Sequence, residues 1–439
     1  MKTTRLFAYL PLLAAAFAGT AYADASGSMN PLTLANPPVA STAYYYVGDG
    51  WNFGAQMANS VGTVEGGVDT LEKNTGIYGF AAGIHVGYGY TFSDLLYLGA
   101  EAYANKQDVD FTRISSVFSA SNTDSSVSSE IGNSFGISIL PGYHFSGSSL
   151  VYLRLGLNYA ELSSLNNLTN ATNYDIYKPA PEIGFGVREA LTQNLSLALE
   201  YDWLKYYQQD MVANDATDHF SASVFQLSLN YQLDNMDPHS TGNYKLQLTG
   251  PYAGAQFGPE TLLARDYVSW FPGTGKYVAD SGSTNGVAGQ LHAGYGYAFN
   301  NWAYLGAEGF YQNTFNSVTI DQLGMPSFAQ SQSYGFSILP GYIINPSNLA
   351  FLRLGWIRSE FVDVTSAGQM GGLFDTWLSG YEVGLGYEIA VYQNLSLVAE
   401  YDYSAYQPTS QFTDQGGIAR SSRISFSDNY FGVGLNYRF

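Results

Sequence analysis

Apolar and polar residues alternate with a period of two along much of the chain, and residues 193–203, QNLSLALEYDW, show the pattern in full. One set comprises Leu195, Leu197, Leu199, Tyr201 and Trp203, and the other comprises Ser196, Ala198, Glu200 and Asp202. Successive side chains of a β-strand point to opposite faces. The pattern therefore predicts a strand with one apolar face, which ends in aromatic residues, and an opposite face that carries two carboxylates.

The same pattern occurs a second time, as QNLSLVAEYDY at residues 393–403. Other segments repeat in the same order: HVGYGYTF returns as HAGYGYAF, LYLGAEAY as AYLGAEGF, FGISILPGY as YGFSILPGY, and LRLG unchanged. The spacing between the copies stays near 200 residues throughout. A constant order and spacing indicate that one whole structural unit has been duplicated.

Each copy is predicted to contain eight strands, sixteen in total, joined alternately by tight turns and by longer polar loops. Tight turns on one side and long loops on the other are typical of transmembrane β-barrels. The predicted strands exceed the roughly 9–11 residues that cross a bilayer when tilted. The fold class is therefore all-β, a transmembrane antiparallel up-and-down barrel whose termini both lie on the short-turn, periplasmic side.

The composition fits a surface that largely avoids water. Only 12% of the residues are charged and 16% are aromatic, whereas soluble domains carry about 25% charged residues. The net charge of −19 argues against a nucleic-acid partner, because phosphate binding requires clusters of Lys and Arg. The absence of cysteine excludes disulfides and thiolate chemistry.

The N-terminus has the features of a secretory signal peptide. Lys2 and Arg5 precede the short apolar stretch 6–18, and Ala21-Tyr22-Ala23 matches a cleavage site that ends at Ala23. The predicted organisation is a signal peptide (1–23), an N-terminal periplasmic extension (24–50), a first barrel unit (51–233), a linker (234–250) and a second barrel unit (251–439).

The polar face of the predicted strands carries charges of both signs. They are Glu101, Arg154, Glu182, Arg188, Glu200 and Asp202 in the first unit, and Glu308, Arg353, Glu382, Glu388, Glu400 and Asp402 in the second. Buried charges need partners or water. We favour a structural ion-pair network that fills a narrow barrel over a lining that selects permeating ions. The excess of carboxylates in the second unit fits the network less well, and Asp202 and Asp402 are predicted at a wet mouth.

Few residues suggest other chemistry, and no cofactor, metal or catalytic site is predicted. His85 and His292 occupy equivalent inward positions among glycines, where a hydrogen-bonded structural role is favoured because no spaced His cluster exists. His219 and Ser221 share one strand face, as the base and nucleophile of a membrane lipid hydrolase could. A polar strand end is the favoured interpretation of that pair.

The segments GYGY, LGAE, LPGY, LRLG and NLSLxxEYDY resemble the small eight-stranded outer-membrane barrels, the OmpA-like proteins and opacity-protein surface antigens. The resemblance implies a place in the outer membrane of a Gram-negative cell, in contact with outer-membrane lipid and lipopolysaccharide. It also implies assembly by periplasmic chaperones and the barrel-assembly machinery, with the terminal aromatics Tyr437 and Phe439 as the signal. The first unit departs from the family because it ends in Leu233.

Sixteen strands could form two eight-stranded barrels or one sixteen-stranded barrel with an aqueous channel. Two barrels are favoured because each unit carries its own Glu/Arg set, the inward glycines suit a tight bore, and the connection between the units is much longer than a hairpin turn. The alternative of a single wide barrel stays open at this stage.

The function predicted from these features is structural or surface-exposed, as in an antigen or adhesin, without enzymatic activity. The long loops would face an extracellular partner. The alternatives are a passive, weakly cation-preferring diffusion porin and a membrane-embedded lipid hydrolase. In the opening strand, Tyr201 and Trp203 are predicted to mark the outer membrane interface.

Overall fold

In a computed structural model the chain folds almost entirely into antiparallel β-strands. The structure describes residues 45–65, 75–92, 95–115, 125–166, 174–210, 217–271, 276–316, 328–363, 375–415 and 418–439. Within these residues no helix is long and apolar enough to span a membrane.

The first barrel contains eight strands: β1 (Gly50–Glu65), β2 (Thr75–Phe92), β3 (Leu96–Ser115), β4 (Ser125–Ser146), β5 (Ser149–Asn166), β6 (Tyr174–Ala190), β7 (Leu195–Asp210) and β8 (Thr217–Gln232). Each strand pairs with the next along the chain. Strand β1 also pairs with β8, with Phe53 opposite Tyr231, and this pairing closes the barrel.

The second barrel is built from β9 (Gly250–Phe271), β10 (Lys276–Ala298), β11 (Ala303–Phe315), β12 (Phe328–Asn345), β13 (Asn348–Asp363), β14 (Asp375–Tyr392), β15 (Leu395–Tyr406), β16 (Thr409–Gln415) and β17 (Ile418–Arg438). Strand β17 pairs with both β15 and β9, which closes an eight-stranded wall, and β16 continues β15 along β17 at the long-loop end. The prediction of two tandem eight-stranded barrels is confirmed, and the single sixteen-stranded barrel is not formed.

Side chains alternate between a buried bore and an apolar exterior. In β11 the inward Tyr304, Glu308 and Phe310 are buried, whereas the outward Leu305 and Phe315 are 42% and 67% exposed. A closed barrel leaves no unpaired strand edge, so its backbone polar groups can be satisfied within a lipid environment. The exterior is accordingly a lipid-facing surface.

Aromatic pairs recur on the exterior at the short-turn end, which is the periplasmic end in barrels of this type. Tyr90 packs against Phe92, Tyr297 against Phe299, and Tyr437 against Phe439, with ring centroids 4.8, 4.9 and 5.1 Å apart. Aromatic residues favour the membrane interface because one part of the ring is apolar and another is polar. Tyr437 and Phe439 therefore belong to an aromatic belt.

The segments before each barrel close its periplasmic mouth. Val47 is fully buried against Met236 and donates its backbone N–H to Gly147 O over 2.9 Å. Leu246 in the second unit makes the equivalent bond to Pro346 O, also at 2.9 Å. The connection between the barrels is thus not a free tether, because one part of it packs against the first barrel and another part against the second.

Candidate functional site

The bore of the first barrel is organised around Arg154, which β5 points inward. Its Nη2 donates to Glu101 Oε1 at 2.8 Å and to Glu200 Oε2 at 3.2 Å. Its Nε lies 2.9 Å from Glu200 Oε1 and 3.5 Å from Asp202 Oδ1. All four side chains are buried. Three carboxylates from two strands, β3 and β7, thus surround one guanidinium.

Hydroxyl and amide groups hydrogen-bond several of the other polar groups of this bore. Glu182 accepts hydrogen bonds from Tyr103 Oη and Ser138 Oγ, each at 2.8 Å. Arg188 Nη2 lies 3.7 Å from Glu101 Oε2. His85 is hydrogen-bonded on both ring nitrogens, to Gln56 at 2.7 Å and to Asn230 at 2.6 Å. Because both ring nitrogens are hydrogen-bonded within the bore, this geometry suits a structural role for His85.

The second bore repeats the arrangement with a stronger central pair. Arg353 donates two hydrogen bonds to Glu400, from Nε to Oε1 at 2.6 Å and from Nη2 to Oε2 at 2.9 Å. Its Nη2 also donates to Glu308 Oε1 at 2.8 Å. Asp402 and Glu382 lie 3.4 and 3.6 Å from the same guanidinium. A two-pronged Arg–carboxylate bond is among the strongest polar contacts in proteins.

Glu388 has a separate partner, Arg438, which donates to it from Nε at 3.0 Å and from Nη2 at 2.6 Å. In the first unit the equivalent positions carry Arg188 and Gln232. The acid and its partner have therefore changed together between the units. Arg438 is absent from the charged set that the sequence predicts for the second unit.

Two further buried carboxylates were missed. Glu260 accepts from Gln312 Nε2 at 2.9 Å and from Asn316 Nδ2 at 2.8 Å. Asp428 accepts from Gln330 Nε2 at 2.9 Å and from Tyr406 Oη at 2.6 Å. Both lie toward the long-loop ends of their strands, β9 and β17. These amide and hydroxyl donors account for acids that no arginine reaches among the side chains that the structure describes.

Little empty space is left in either bore. The cavity beside Arg154 has a volume of about 20 Å³, and the one beside Arg353 about 10 Å³. One water molecule needs roughly 10–15 Å³ measured in this way. Asp202 and Asp402, expected at a wet mouth, are 3% and 2% exposed and lie within the charge clusters. The bores are filled rather than open.

The two barrels pack against each other over an area that we call the inter-barrel face. Tyr201 stacks on Phe431, with ring centroids 5.8 Å apart, and Phe225 packs on Tyr401 at 4.7 Å. Tyr201 is equivalent to Tyr401 in the repeat, and Phe225 is equivalent to Phe431. The contacts are therefore reciprocal, as across a two-fold axis between identical subunits.

Equivalent residues also meet each other directly, which marks the position of this axis. Asn348 Nδ2 donates to Ser149 Oγ at 2.6 Å near the periplasmic turns, and Thr75 pairs with Gly282 at the other end. Each of these pairs occupies one and the same position in the two repeats. The barrels are thus arranged as a covalently linked, two-fold pseudo-dimer.

A buried carboxylate anchors the periplasmic end of the inter-barrel face. Glu189 points away from its own bore and accepts hydrogen bonds from Ser149 Oγ at 2.6 Å, from Asn348 Nδ2 at 3.0 Å and from Tyr387 Oη. It is 4% exposed. An acid in this position breaks the two-fold symmetry, because Ile389 stands at the equivalent site.

This face corrects the prediction that Tyr201 of β7 marks the outer membrane interface. Tyr201 does point outward, but it packs on Phe431 and does not mark the outer membrane interface. The physical reason is that an apolar side chain suits a neighbouring barrel as well as it suits lipid. Period-two alternation therefore distinguishes inward from outward residues. It does not distinguish outward residues that face lipid from outward residues that face the other barrel.

The arrangement of His219 and Ser221 is only partly described. Ser221 Oγ accepts a hydrogen bond from Asn285 Nδ2 of the second barrel at 3.2 Å, and the side chain of His219 lies outside the described residues. His292 is hydrogen-bonded to Asn436 at 2.6 Å. Within the described part of the chain, no group of three His, Asp or Glu residues is arranged to hold a metal ion.

Comparison with known proteins decides the family. The model of the outer membrane protein beta-barrel domain matches residues 12–232 and again 242–439. The chain belongs to this family. Its two matches correspond to the two closed barrels, so the protein is a tandem outer-membrane β-barrel. The search among curated proteins found no similar sequence.

Several solved outer-membrane structures are similar at low identity. A FadL homologue of Pseudomonas aeruginosa is 9% identical, with 89% of this chain and 91% of that chain covered and a TM-score of 0.28. The toluene transporter TodX of P. putida is 10% identical, with 89% and 90% covered and a TM-score of 0.27. The Ail protein of Yersinia pestis is 9% identical, with 42% and 99% covered and a TM-score of 0.25.

Proposed function

We propose that the protein is a closed, non-conducting twin barrel that anchors surface loops in the outer membrane, in a structural or surface-exposed role without enzymatic activity. The observation that carries this proposal is the filling of both bores by the clusters around Arg154 and Arg353. A passive porin would need a continuous water-filled path. The cavities beside Arg154 and Arg353 have room for about one water each.

The pseudo-dimer gives this role a specific form. Because the inter-barrel face joins the walls along their length, the long-loop ends of the strands of both barrels lie side by side. Two sets of loops held at a fixed spacing can engage one extended partner, which strengthens binding beyond that of either set alone. The proposed partners of the folded protein are lipopolysaccharide around the barrels and an extracellular partner at the loops. For its assembly we propose periplasmic chaperones and an assembly machinery that reads Tyr437 and Phe439.

Reconstitution in a planar bilayer tests the closed state. We expect no stable current steps from the full-length protein in molar potassium chloride, because the charge clusters and the mouth segments block both bores. Large, stable, cation-selective steps would contradict the proposal and favour the porin.

A further inference from the structure

Arg358 stands out on the exterior of the second barrel because it points away from the bore. On the same outward side of β13, Leu354 and Trp356 precede it and Glu360 follows it. It lies ten residues beyond Asn348 at the short-turn end. A strand that rises 3.3 Å per residue at a tilt of about 40° climbs about 25 Å over that distance, the height of the apolar band. Arg358 is therefore placed at the headgroup level of the outer leaflet.

A cluster of aromatic rings lies beside this arginine. Its guanidinium carbon lies 5.9 Å from the ring centre of Trp377. Tyr334 packs against Trp377 at 5.5 Å and against Trp356 at 6.1 Å. These rings hold the guanidinium in place, since a cation over an indole face is attracted to it. They also supply the amphipathic surface that favours the membrane interface.

The guanidinium lacks a polar partner. Within the part of the chain that the structure describes, it has neither a hydrogen bond nor an ion pair, and its Nε is buried without an acceptor. Oε2 of Glu360, two residues along the strand, accepts hydrogen bonds from Ser331 and Gln332. An unpartnered buried donor costs free energy that a bound anion would recover.

The first barrel provides an internal comparison. Its equivalent positions form a purely aromatic patch, in which Phe135 stacks on Tyr159 at 5.6 Å and contacts Tyr177 at 6.0 Å. The second unit keeps aromatics at the two flanking positions, and only the central Tyr159 is replaced by Arg358. The patch thus forms without a charge, and the cation is an addition to it.

We propose that Arg358 and its aromatic cage bind a phosphate group of an outer-leaflet glycolipid, the headgroup of lipopolysaccharide. A guanidinium matches a phosphate through two parallel hydrogen bonds and stays charged at any physiological pH. The acyl chains of such a lipid would lie along the outward Leu354 and Phe336, which are 40% and 61% exposed. The site does not depend on whether the bores conduct.

Native mass spectrometry of the full-length protein in detergent tests this site, with bisphosphorylated lipid A as the probe. Arg358→Gln is expected to weaken retention of one lipid A by about tenfold, the loss of a charge-assisted hydrogen bond. Arg358→Lys keeps the charge without the planar fork and is expected to lose about threefold. Tyr159→Gln, at the equivalent site of the first barrel, is expected to change nothing. Heat-modifiable mobility on gels confirms that each variant is folded.

Three further outcomes distinguish the source of the phosphate. Dephosphorylated lipid A is expected to bind wild type and Arg358→Gln equally weakly. Equal retention of the phosphorylated probe by wild type and Arg358→Gln would overturn the proposal. Displacement of lipid A by millimolar inorganic phosphate would overturn the assignment to a lipid headgroup, because a soluble anion would then suffice.

Discussion

Replacing Arg353 by methionine is expected to lower the free energy of unfolding of the second barrel by about 3–5 kcal/mol, because removal of one partner leaves the others buried and charged. The guanidinium lies within 3.6 Å of four carboxylates, which belong to Glu308, Glu382, Glu400 and Asp402. Donors such as Gln256, which reaches Glu400 at 3.1 Å, cannot replace a full positive charge. Methionine keeps most of the volume, so the loss reports the charge.

Urea unfolding in lipid vesicles, followed by the gel mobility of the folded form, measures this change. Arg358→Met provides a matched control, because the same substitution on the same strand removes an outward guanidinium without an ion pair. We expect that control to cost less than about 1 kcal/mol. A second test adds Glu400→Gln and Glu308→Gln to Arg353→Met, which should recover part of the stability. An unchanged unfolding midpoint in Arg353→Met would show that the cluster is not held by this cation.

Substituting Glu189 by isoleucine is expected to weaken the inter-barrel face by about 2 kcal/mol, since two buried donors of the second barrel lose this acceptor. These donors are Tyr387 Oη and Asn348 Nδ2. Isoleucine is the residue that the second unit already carries at the equivalent position, Ile389. Adding Tyr387→Val, which copies Val187 of the first unit, should recover part of the loss by making the contact apolar.

A cut in the connection isolates this effect. A protease site inserted between Thr241 and Gly242 would be cleaved after the full-length protein has folded, and the cohesion of the halves would then be followed by size exclusion in detergents of rising strength. Wild-type halves should stay together, whereas the halves of Glu189→Ile should separate in a milder detergent. Glu161→Ile removes an outward carboxylate of β5 that bonds Asn133 of its own barrel, and it should behave as wild type. Immediate separation of the wild-type halves would show that the face does not hold the barrels together.

The strands and their inward faces were predictable from the sequence because period-two alternation is a local property. The alternation in residues 193–203 places Glu200 inside the barrel, and the structure pairs it with Arg154. Which partners meet across the bore depends on register and on strands that are not neighbours. Glu388 lies on β14 and Arg438 on β17, with β15 between them, so no short-range pattern connects this pair.

The inter-barrel face could not be predicted from the sequence, for a different reason. Outward residues of β6 look alike in sequence, yet Ile183 is 51% exposed and Val187 is 3% exposed. A signal was nevertheless present. Glu189 and Asn59 are polar residues in outward sets that are otherwise apolar, and Asn59 bonds Asn429 of the other barrel at 2.7 Å. Outward polar side chains within a membrane band indicate a covering protein surface, since lipid would leave them unsatisfied.

Cysteine pairs across the closing seam test the central claim, two closed barrels, most directly. Phe53 of β1 and Tyr231 of β8 are directly opposed outward residues. Opposed Cα atoms in antiparallel strands lie about 4.5–5.5 Å apart, within the range of a disulfide. The chain contains no other cysteine, so any disulfide formed must be the engineered one.

The contrasting pair is Tyr231→Cys with Ala253→Cys, because β8 would pair with β9 in a single sixteen-stranded barrel. In the folded protein, Phe53→Cys with Tyr231→Cys is expected to form a disulfide that shifts its mobility on non-reducing gels, while the contrasting pair stays reduced. A disulfide between positions 231 and 253, with positions 53 and 231 left as free thiols, would contradict the twin barrel.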